Sequence, residues 1–92
     1  MTARKLKPWR PDWIEPPGPT IREKLRELGM TQEQAAEKMG VTGPYLSGII
    51  NGHRAITPRA ALHLEAATGV SAEFWAGLWA HYAIAIERKR AA

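Results

Sequence analysis

Apolar residues recur along most of this chain at steps of three and four positions, and turn residues interrupt the pattern between residues 20 and 88. That spacing places apolar side chains on one face of an α-helix, whereas a half-buried strand would alternate them at every second position. The pattern therefore predicts an all-α fold of five helices. In the first three helices, the positions expected to face inward are Ile21, Leu25, Leu28, Ala35, Ala36, Met39, Leu46, Ile49 and Ile50.

Residues suited to helix ends divide the five segments from one another. Thr20 with Glu23 and Thr31 with Gln34 have the spacing of a capping box, in which each side chain bonds to the backbone of the other residue. Proline in a first turn and glycine after a last turn are typical of helix boundaries. The other expected N-caps are Thr42, Thr57 before Pro58, and Ser71, and the expected stops are Gly29, Gly40, Asn51-Gly52 and Gly69.

The first 19 residues differ in composition from the rest of the chain. They hold five of its seven prolines, which lack the backbone donor that a helix uses, and two of its four tryptophans, Trp9 and Trp13. We therefore expect an extended arm over residues 1–19 that either lies along the domain or docks on a partner. The helical domain is expected over residues 20–88 and a basic tail over residues 89–92.

The net charge of +4 is unevenly distributed. Seven of the 13 lysines and arginines lie near the two ends, so six remain in the region that holds all nine acidic residues. A nucleic-acid contact made by the domain must then come from a local basic face, with the ends adding a diffuse, salt-sensitive attraction. Because no apolar run has the length of a signal peptide or a membrane span, we expect a soluble, cytoplasmic protein without membrane contact.

The chain lacks the residue patterns of common catalytic and metal sites. It has no cysteine, so it can form neither a disulfide nor a thiolate metal site. The pair His63 and Glu65 has the spacing seen in zinc deaminases, but the cysteine pair that completes such a site cannot exist here. His53 and His81 show no metal-ligand spacing either. We expect no enzymatic activity, no metal and no cofactor.

Residues 32–50 follow the pattern of a helix-turn-helix unit. Ala36 is small where the second and third helices must cross closely, and Gly40 can adopt the left-handed backbone of the tight turn between them. In such a unit the first helix lies across the phosphate backbone while the start of the second enters the major groove. A helical hairpin used only for protein contacts is the structural alternative.

The outward positions of the third helix are expected to meet DNA. These positions are Thr42, Gly43, Pro44, Ser47, Gly48 and Asn51, with Tyr45 at the flank. Gly43 and Pro44 carry no hydrogen-bonding group in their side chains, so we expect the tip to press against thymine methyls or sugar edges. Thr42, Tyr45 and Ser47 would supply single hydrogen bonds. The sequence specificity of one such helix should be modest. The shape of the DNA and the spacing of the two helices in a dimer must then supply the remaining specificity.

Contacts to the DNA backbone are expected from residues around this helix. Gln32 and Asn51 are expected to hold phosphates. Arg54, in the loop after the third helix, is the first choice for a cation that gains from counterion release, and Arg59 is the second. For each arginine the alternative is an ordinary exposed side chain.

Large apolar residues on the fifth helix form a stripe too broad for one small domain to cover. We expect a second copy of the chain or another protein to bury part of it, with an intramolecular core as the alternative. The residues expected in this dimer or partner interface are Phe74, Trp75, Leu78, Trp79 and Tyr82. A twofold dimer would also place two reading helices about 34 Å apart, which is one turn of DNA.

Three stretches of the sequence closely resemble the HigA-type antitoxins, a branch of the XRE, or lambda-repressor-like, helix-turn-helix proteins. They are PPGPTIREKL, TQEQAAEKMGVTGPYLSGIINGHRAITPRAALHLEAATGVSAEFW and the aromatic helix that follows, so the resemblance spans residues 16 to about 86. Its most specific elements are the Pro-Gly before the first helix, Asn51-Gly52 followed by Ile56-Thr57-Pro58, and Phe74-Trp75.

This resemblance implies a five-helix, lambda-repressor-like domain that forms a homodimer, binds double-stranded operator DNA and represses its own operon. It further implies a protein partner, a HigB-type toxin that cleaves mRNA. The family's reading helix falls on residues 42–50 and its backbone-contacting glutamine on Gln32. Trp9 and Trp13 lie outside the matching region and are possible toxin contacts; minor-groove reading by Arg4 and Lys5 and simple packing are alternatives. A stand-alone XRE repressor without a toxin is the alternative function.

Overall fold

The computed structural model describes residues 15–91. They form five α-helices, and no strand occurs among them. The helices are α1 (Gly18–Glu27), α2 (Gln32–Met39), α3 (Gly43–Ile50), α4 (Pro58–Thr68) and α5 (Ala72–Ala91). This order confirms the predicted all-α, five-helix fold. Trp9 and Trp13, and with them most of the predicted arm, lie outside the described residues.

The N-terminus of α1 differs from its prediction. Thr20 is not an N-cap: the helix begins at Gly18, within the predicted arm, and its N-cap is Pro17, which makes no side-chain capping bond. The backbone N–H of Ile21 donates to the carbonyl oxygen of Pro17 over 3.0 Å. Pro17 and Pro19 lack N–H groups and have φ fixed near the helical value, so this first turn leaves few donors for a capping side chain.

The other predicted N-caps are confirmed. Thr31 and Gln34 form the reciprocal capping box, with hydrogen bonds of 3.0 Å and 2.9 Å. Three further hydroxyls accept from the backbone N–H three positions ahead: Thr42 from Tyr45 at 3.2 Å, Thr57 from Ala60 at 3.1 Å, and Ser71 from Phe74 at 3.2 Å. Each of these bonds satisfies a donor that the helix itself cannot pair.

The core lies where α2, α3 and α4 meet, with α1 and α5 packed on either side. Eight of the nine inward positions predicted for the first three helices are buried. Leu28 is the exception and is 44% exposed, because α1 ends at Glu27 and Leu28 follows the last turn. The buried apolar side chains of this core cluster are Ile21, Leu25, Ala35, Ala36, Met39, Leu46, Ile49, Ile50, Ile56, Ala60, Ala61, Leu64, Ala67 and Trp75.

Trp75 belongs to this core and not to a partner interface. Its side chain is fully buried, and its indole Nε1–H donates to the hydroxyl of Thr68 over 3.3 Å. The same hydroxyl donates to the carbonyl oxygen of Leu64 over 2.7 Å and accepts from the N–H of Val70 over 3.2 Å. The prediction that Trp75 faces a partner is therefore wrong, because one position of the aromatic stripe is needed to join α5 to the end of α4.

Helix α5 is longer than predicted and continues to Ala91. Lys89 and Arg90, which were expected in a separate tail, are part of its last turn together with Arg88. Basic side chains at this end interact favourably with the partial negative charge of the helix C-terminus. Within residues 15–91, no helix has both the length and the apolar character that crossing a membrane requires.

Candidate nucleic-acid interface

Helices α2 and α3 are joined by a tight turn of three residues, Gly40, Val41 and Thr42. Gly40 has φ 74° and ψ 28°, the left-handed conformation that glycine adopts without strain. Its N–H donates to the carbonyl oxygen of Glu37 over 3.1 Å, and the N–H of Val41 donates to that of Ala36 over 3.0 Å. The side chain of Ala36 is buried. These features are the ones that the helix-turn-helix prediction required, and they fix the direction in which α3 leaves α2.

One side of α3 is buried and the other is open. Leu46, Ile49 and Ile50 face the core, whereas the opposite side leaves polar and small residues accessible. We call this accessible side the α3 face; it consists of Thr42, Gly43, Pro44, Ser47, Gly48 and Asn51. All six were predicted to face outward. Tyr45 is half-buried at the flank, and Gln32 is exposed at the first position of α2.

Asn51 is the centre of a hydrogen-bond chain that crosses from α1 to α3. The guanidinium of Arg22 donates from Nη2 to Oδ1 of Asn51 over 2.9 Å, and Nδ2 of Asn51 donates to Oγ of Ser47 over 3.1 Å. One hydrogen of Nδ2 remains for a further acceptor, such as a phosphate oxygen. The predicted phosphate contact of Asn51 is thus coupled to Ser47, which was predicted to contact bases.

Arg22 was missed by the sequence analysis. It is an exposed residue in α1, a helix that the helix-turn-helix pattern does not include, and it reaches a residue 29 positions further along the chain. No local signal distinguishes it from Arg26, which pairs with Glu23 inside the same helix. Only the packing of α1 against the end of α3 brings Arg22 to this site.

Arg54 lies against α3, although it belongs to the loop that follows. Its guanidinium carbon is 4.9 Å from the centroid of the Tyr45 ring, within the range of a cation–π interaction. A Cβ atom placed on Gly48 would lie 3.3 Å from Cγ of Arg54 and 3.2 Å from Cδ, so the arginine stem covers this glycine. The loop is held in turn by the N–H groups of His53 and Arg54, which both donate to the carbonyl oxygen of Gly48.

The two cations at the α3 face are free of carboxylate partners within residues 15–91. The ion pairs in this part of the chain are Lys24–Glu27 at 3.5 Å, Arg26–Glu23, and Arg90–Glu87 at 3.4 Å. Neither Arg22 nor Arg54 takes part in them. Their charges are therefore available to phosphate groups, although the region between the basic ends of the chain has more acidic than basic residues.

The outer side of α5 carries the second predicted interaction surface. Phe74 is 46% exposed, and its ring packs edge-on against Trp75 with centroids 5.2 Å apart. Leu78, Trp79 and Tyr82 are half-buried, and the rings of Trp79 and Tyr82 lie 5.5 Å apart. Ile84 is also 50% exposed, but it follows Tyr82 by two positions and therefore points to a different side of the helix. We call the accessible residues Phe74, Leu78, Trp79 and Tyr82 the α5 surface.

A family model and a relative among known proteins both match this chain. A family model described as Helix-turn-helix matches residues 21–75. Virulence-associated protein A' of Dichelobacter nodosus is 42% identical over 67 residues, which are 72% of this chain and 58% of that relative. This chain therefore spans little more than half of the relative's length.

Solved structures with the same fold include two proteins of the HigA type. An addiction module antidote protein of a HigA family from Coxiella burnetii is 32% identical, with a TM-score of 0.77 over 84% of this chain and 85% of that chain. The antitoxin HigA of Pseudomonas aeruginosa, solved with the higBA promoter, is 27% identical, with the same TM-score and coverage. These similarities confirm the resemblance to HigA-type antitoxins that the sequence indicated.

Proposed function

This chain belongs to the helix-turn-helix family, whose members bind DNA and are not enzymes, and we propose that it is an antitoxin that represses its own operon and neutralises a HigB-type toxin. The observation that carries the proposal is the α3 face with its two cations free of carboxylates. The small residues at the start of α3 allow the helix to approach base edges closely. Arg22 and Arg54 lie beside this helix, where they can contact phosphates. We expect the protein to act in the cytoplasm, where its DNA lies.

Residues from three elements converge on the proposed operator contact. Gln32 at the start of α2 and Asn51 at the end of α3 would bind phosphates on either side of the groove, and Thr42 and Ser47 would meet base edges between them. The structure of Pseudomonas aeruginosa HigA with the higBA promoter supports this assignment, because its fold is the same. We propose Arg22 as an additional phosphate contact that acts beside Asn51.

We further propose that two copies of the chain associate through the α5 surface. Phe74 is 46% exposed, and Leu78, Trp79 and Tyr82 are partly exposed along the same helix. A contiguous apolar patch of this kind is typical of an interaction site. A twofold axis across α5 would present two α3 faces to successive turns of one palindromic operator. Because one α3 helix alone discriminates weakly between sequences, the fixed spacing of two half-sites would supply additional specificity.

Toxin neutralisation is the finer part of the proposal and rests on the likeness to HigA-type proteins. It implies a neighbouring reading frame that encodes a small, basic, RNase-like protein. Trp9 and Trp13 remain possible toxin contacts. A stand-alone repressor is the second candidate function, because the α3 face would serve either role equally well.

Two measurements test these statements separately. A gel-shift with the DNA upstream of the chain's own reading frame should show binding that weakens steeply with salt, and unrelated duplexes should bind much less tightly. Co-expression with the neighbouring protein should give a stable complex and restore growth. If the protein binds DNA but forms no complex with the neighbouring protein, the stand-alone repressor is favoured. If it binds none of the duplexes, DNA binding itself is refuted.

A further inference from the structure

Gly48 and Arg54 together form a feature that the helix-turn-helix pattern does not explain. Gly48 lies in the middle of the α3 face, one turn after Pro44, at a position from which a side chain would point towards DNA. Gly48 has no side chain, and the aliphatic stem of Arg54 occupies the space that one would fill. Cδ of Arg54 lies 3.2 Å from the position that a Cβ atom of residue 48 would take. The loop after α3 therefore supplies the side chain that the helix itself lacks.

The head of Arg54 is held as well as its stem. The cation–π contact with Tyr45 places the guanidinium 4.9 Å from the ring centroid. Tyr45 is half-buried and belongs to the first turn of α3, so its ring is a fixed support. A stacked guanidinium keeps its planar fork of donors free at its edge, which is the geometry that recognises two acceptors at once. Less side-chain entropy is then lost when the arginine binds its target.

We infer that Arg54 reads a guanine in the major groove and is not merely the phosphate contact predicted from its place in the loop. The inference rests on the proposed function and adds the base that the site recognises. Guanine presents the O6 and N7 acceptors side by side, and a bidentate arginine is the commonest specific contact to them. No residue of the α3 face itself carries such a fork. Gly43, Pro44 and Gly48 lack polar side chains, and Thr42 and Ser47 carry one hydroxyl each. Asn51 already uses its amide oxygen and nitrogen to bond Arg22 and Ser47.

The two roles of Arg54 predict different binding data. A phosphate contact contributes equally on all sequences, and its loss lowers the salt dependence of binding by about one counterion. A guanine contact contributes at one base pair of each half-site, and its loss leaves the other positions as selective as before. The discriminating quantity is therefore the effect of each base substitution on affinity, compared between variants.

The experiment begins with a pool of duplexes of randomised sequence, from which the unaltered protein selects its preferred site. Single base-pair substitutions of that site are then titrated with the unaltered protein, Arg54→Met and Arg59→Met. Methionine keeps an apolar stem but removes the cation. Arg59 is an exposed arginine on the neighbouring helix α4, so Arg59→Met controls for the loss of one positive charge.

We expect the unaltered protein and Arg59→Met to discriminate about 10- to 100-fold against replacement of one G·C pair in each half-site, and Arg54→Met to lose that discrimination. If Arg54→Met instead weakens all duplexes by the same factor, or changes nothing, the inference is wrong while the proposed function stands. If the unaltered protein selects no sequence from the pool, the proposed function itself fails.

A second pair of variants tests the support that Tyr45 gives. Tyr45→Phe keeps the aromatic ring under the guanidinium and should retain the guanine preference, whereas Tyr45→Leu removes the ring and should reduce it several-fold. Loss of the preference in both variants would assign the effect to the tyrosine hydroxyl. Its retention in both would show that the stacking does not position Arg54.

Discussion

The guanidinium of Arg22 donates a 2.9 Å hydrogen bond to the side-chain oxygen of Asn51 and so connects α1 with the last residue of the α3 face. Because that oxygen is occupied, the amide nitrogen of Asn51 turns to Ser47, and the serine hydroxyl hydrogen is left to donate outwards. A residue outside the helix-turn-helix unit thereby orients two of the residues proposed to contact DNA.

Replacing Arg22 by methionine should weaken operator binding several-fold while leaving the free energy of unfolding almost unchanged, because the Arg22–Asn51 bond lies at the surface. Arg26→Met is the matched control: it removes the same charge from the same helix, but Arg26 pairs with Glu23 away from Asn51. Fluorescence anisotropy titrations at several salt concentrations measure both variants. Equal affinities for the two variants would exclude a specific role for Arg22.

Gly18→Ala should destabilise the fold by about 1–3 kcal/mol, the usual cost of overpacking a close contact. A Cβ atom on Gly18 would overlap the carbonyl oxygen of Ile50, so α1 would have to move away from the end of α3. The same movement would separate Arg22 from Asn51, and operator affinity should fall with stability.

The control for Gly18 is Gly77→Ala on α5. Nothing lies within 4 Å of a Cβ atom at Gly77, and its backbone is helical. Alanine there should stabilise the helix by roughly 0.5–1 kcal/mol. Urea unfolding followed by circular dichroism gives both values, and a Gly18→Ala variant as stable as the unaltered protein would contradict the close packing of α1 on α3.

Thr68→Val should cost about 1–3 kcal/mol of unfolding free energy, because the nearly isosteric valine leaves the buried Nε1–H of Trp75 without an acceptor. The N–H of Val70 loses the same acceptor. Thr68→Ser keeps the hydroxyl and removes only a methyl group, so it should be clearly less destabilising. Thermal unfolding measures the stability of both variants. If Thr68→Ser is less stable than Thr68→Val, the methyl group of Thr68 and not its hydroxyl stabilises the fold.

Phe74→Arg should shift the protein from dimer to monomer, since it places a charge in the apolar surface proposed to join two copies. Phe74 is 46% exposed in the single chain, so the substitution should not disturb the core. Leu62→Arg is the control, because Leu62 is 59% exposed on α4, outside the α5 surface. Sedimentation velocity measures both. A dimer that survives Phe74→Arg but dissociates on Leu62→Arg would move the interface to α4.

Much of the fold could be predicted because its determinants are local. The capping box of Thr31 and Gln34 and the left-handed Gly40 are both set by residues within one turn of themselves, and both are found as predicted. The α3 face could be predicted for the same reason: helical periodicity alone separates its buried side from its open side. The family resemblance agrees with the solved structures over most of the chain.

The remaining features depend on contacts between residues distant in sequence. Arg22 reaches Asn51 only because α1 packs on α3. Trp75 is buried in the core, where its indole bonds to Thr68 on another helix. The aromatic spacing of α5 is the same for a core position as for a surface position, so periodicity could not separate Trp75 from Phe74. The start of α1 was misplaced because Pro17 and Pro19, which were interpreted as barriers to a helix, instead occupy its N-cap and its first turn.

A side chain at position 48 would compete with the stem of Arg54 for the same space, and this has a consequence for how such a protein acquires a new target. If α3 contacts DNA as proposed, a bulky residue at position 48 would displace the stem of Arg54 and face the DNA itself. The buried side of α3 would need no repacking, because Leu46, Ile49 and Ile50 lie opposite. On the proposed function, the choice of operator would thus be separated from the folding of the domain. Duplicated copies in one cell could diverge to different promoters through exchanges at these two codons, and so escape cross-regulation without loss of stability.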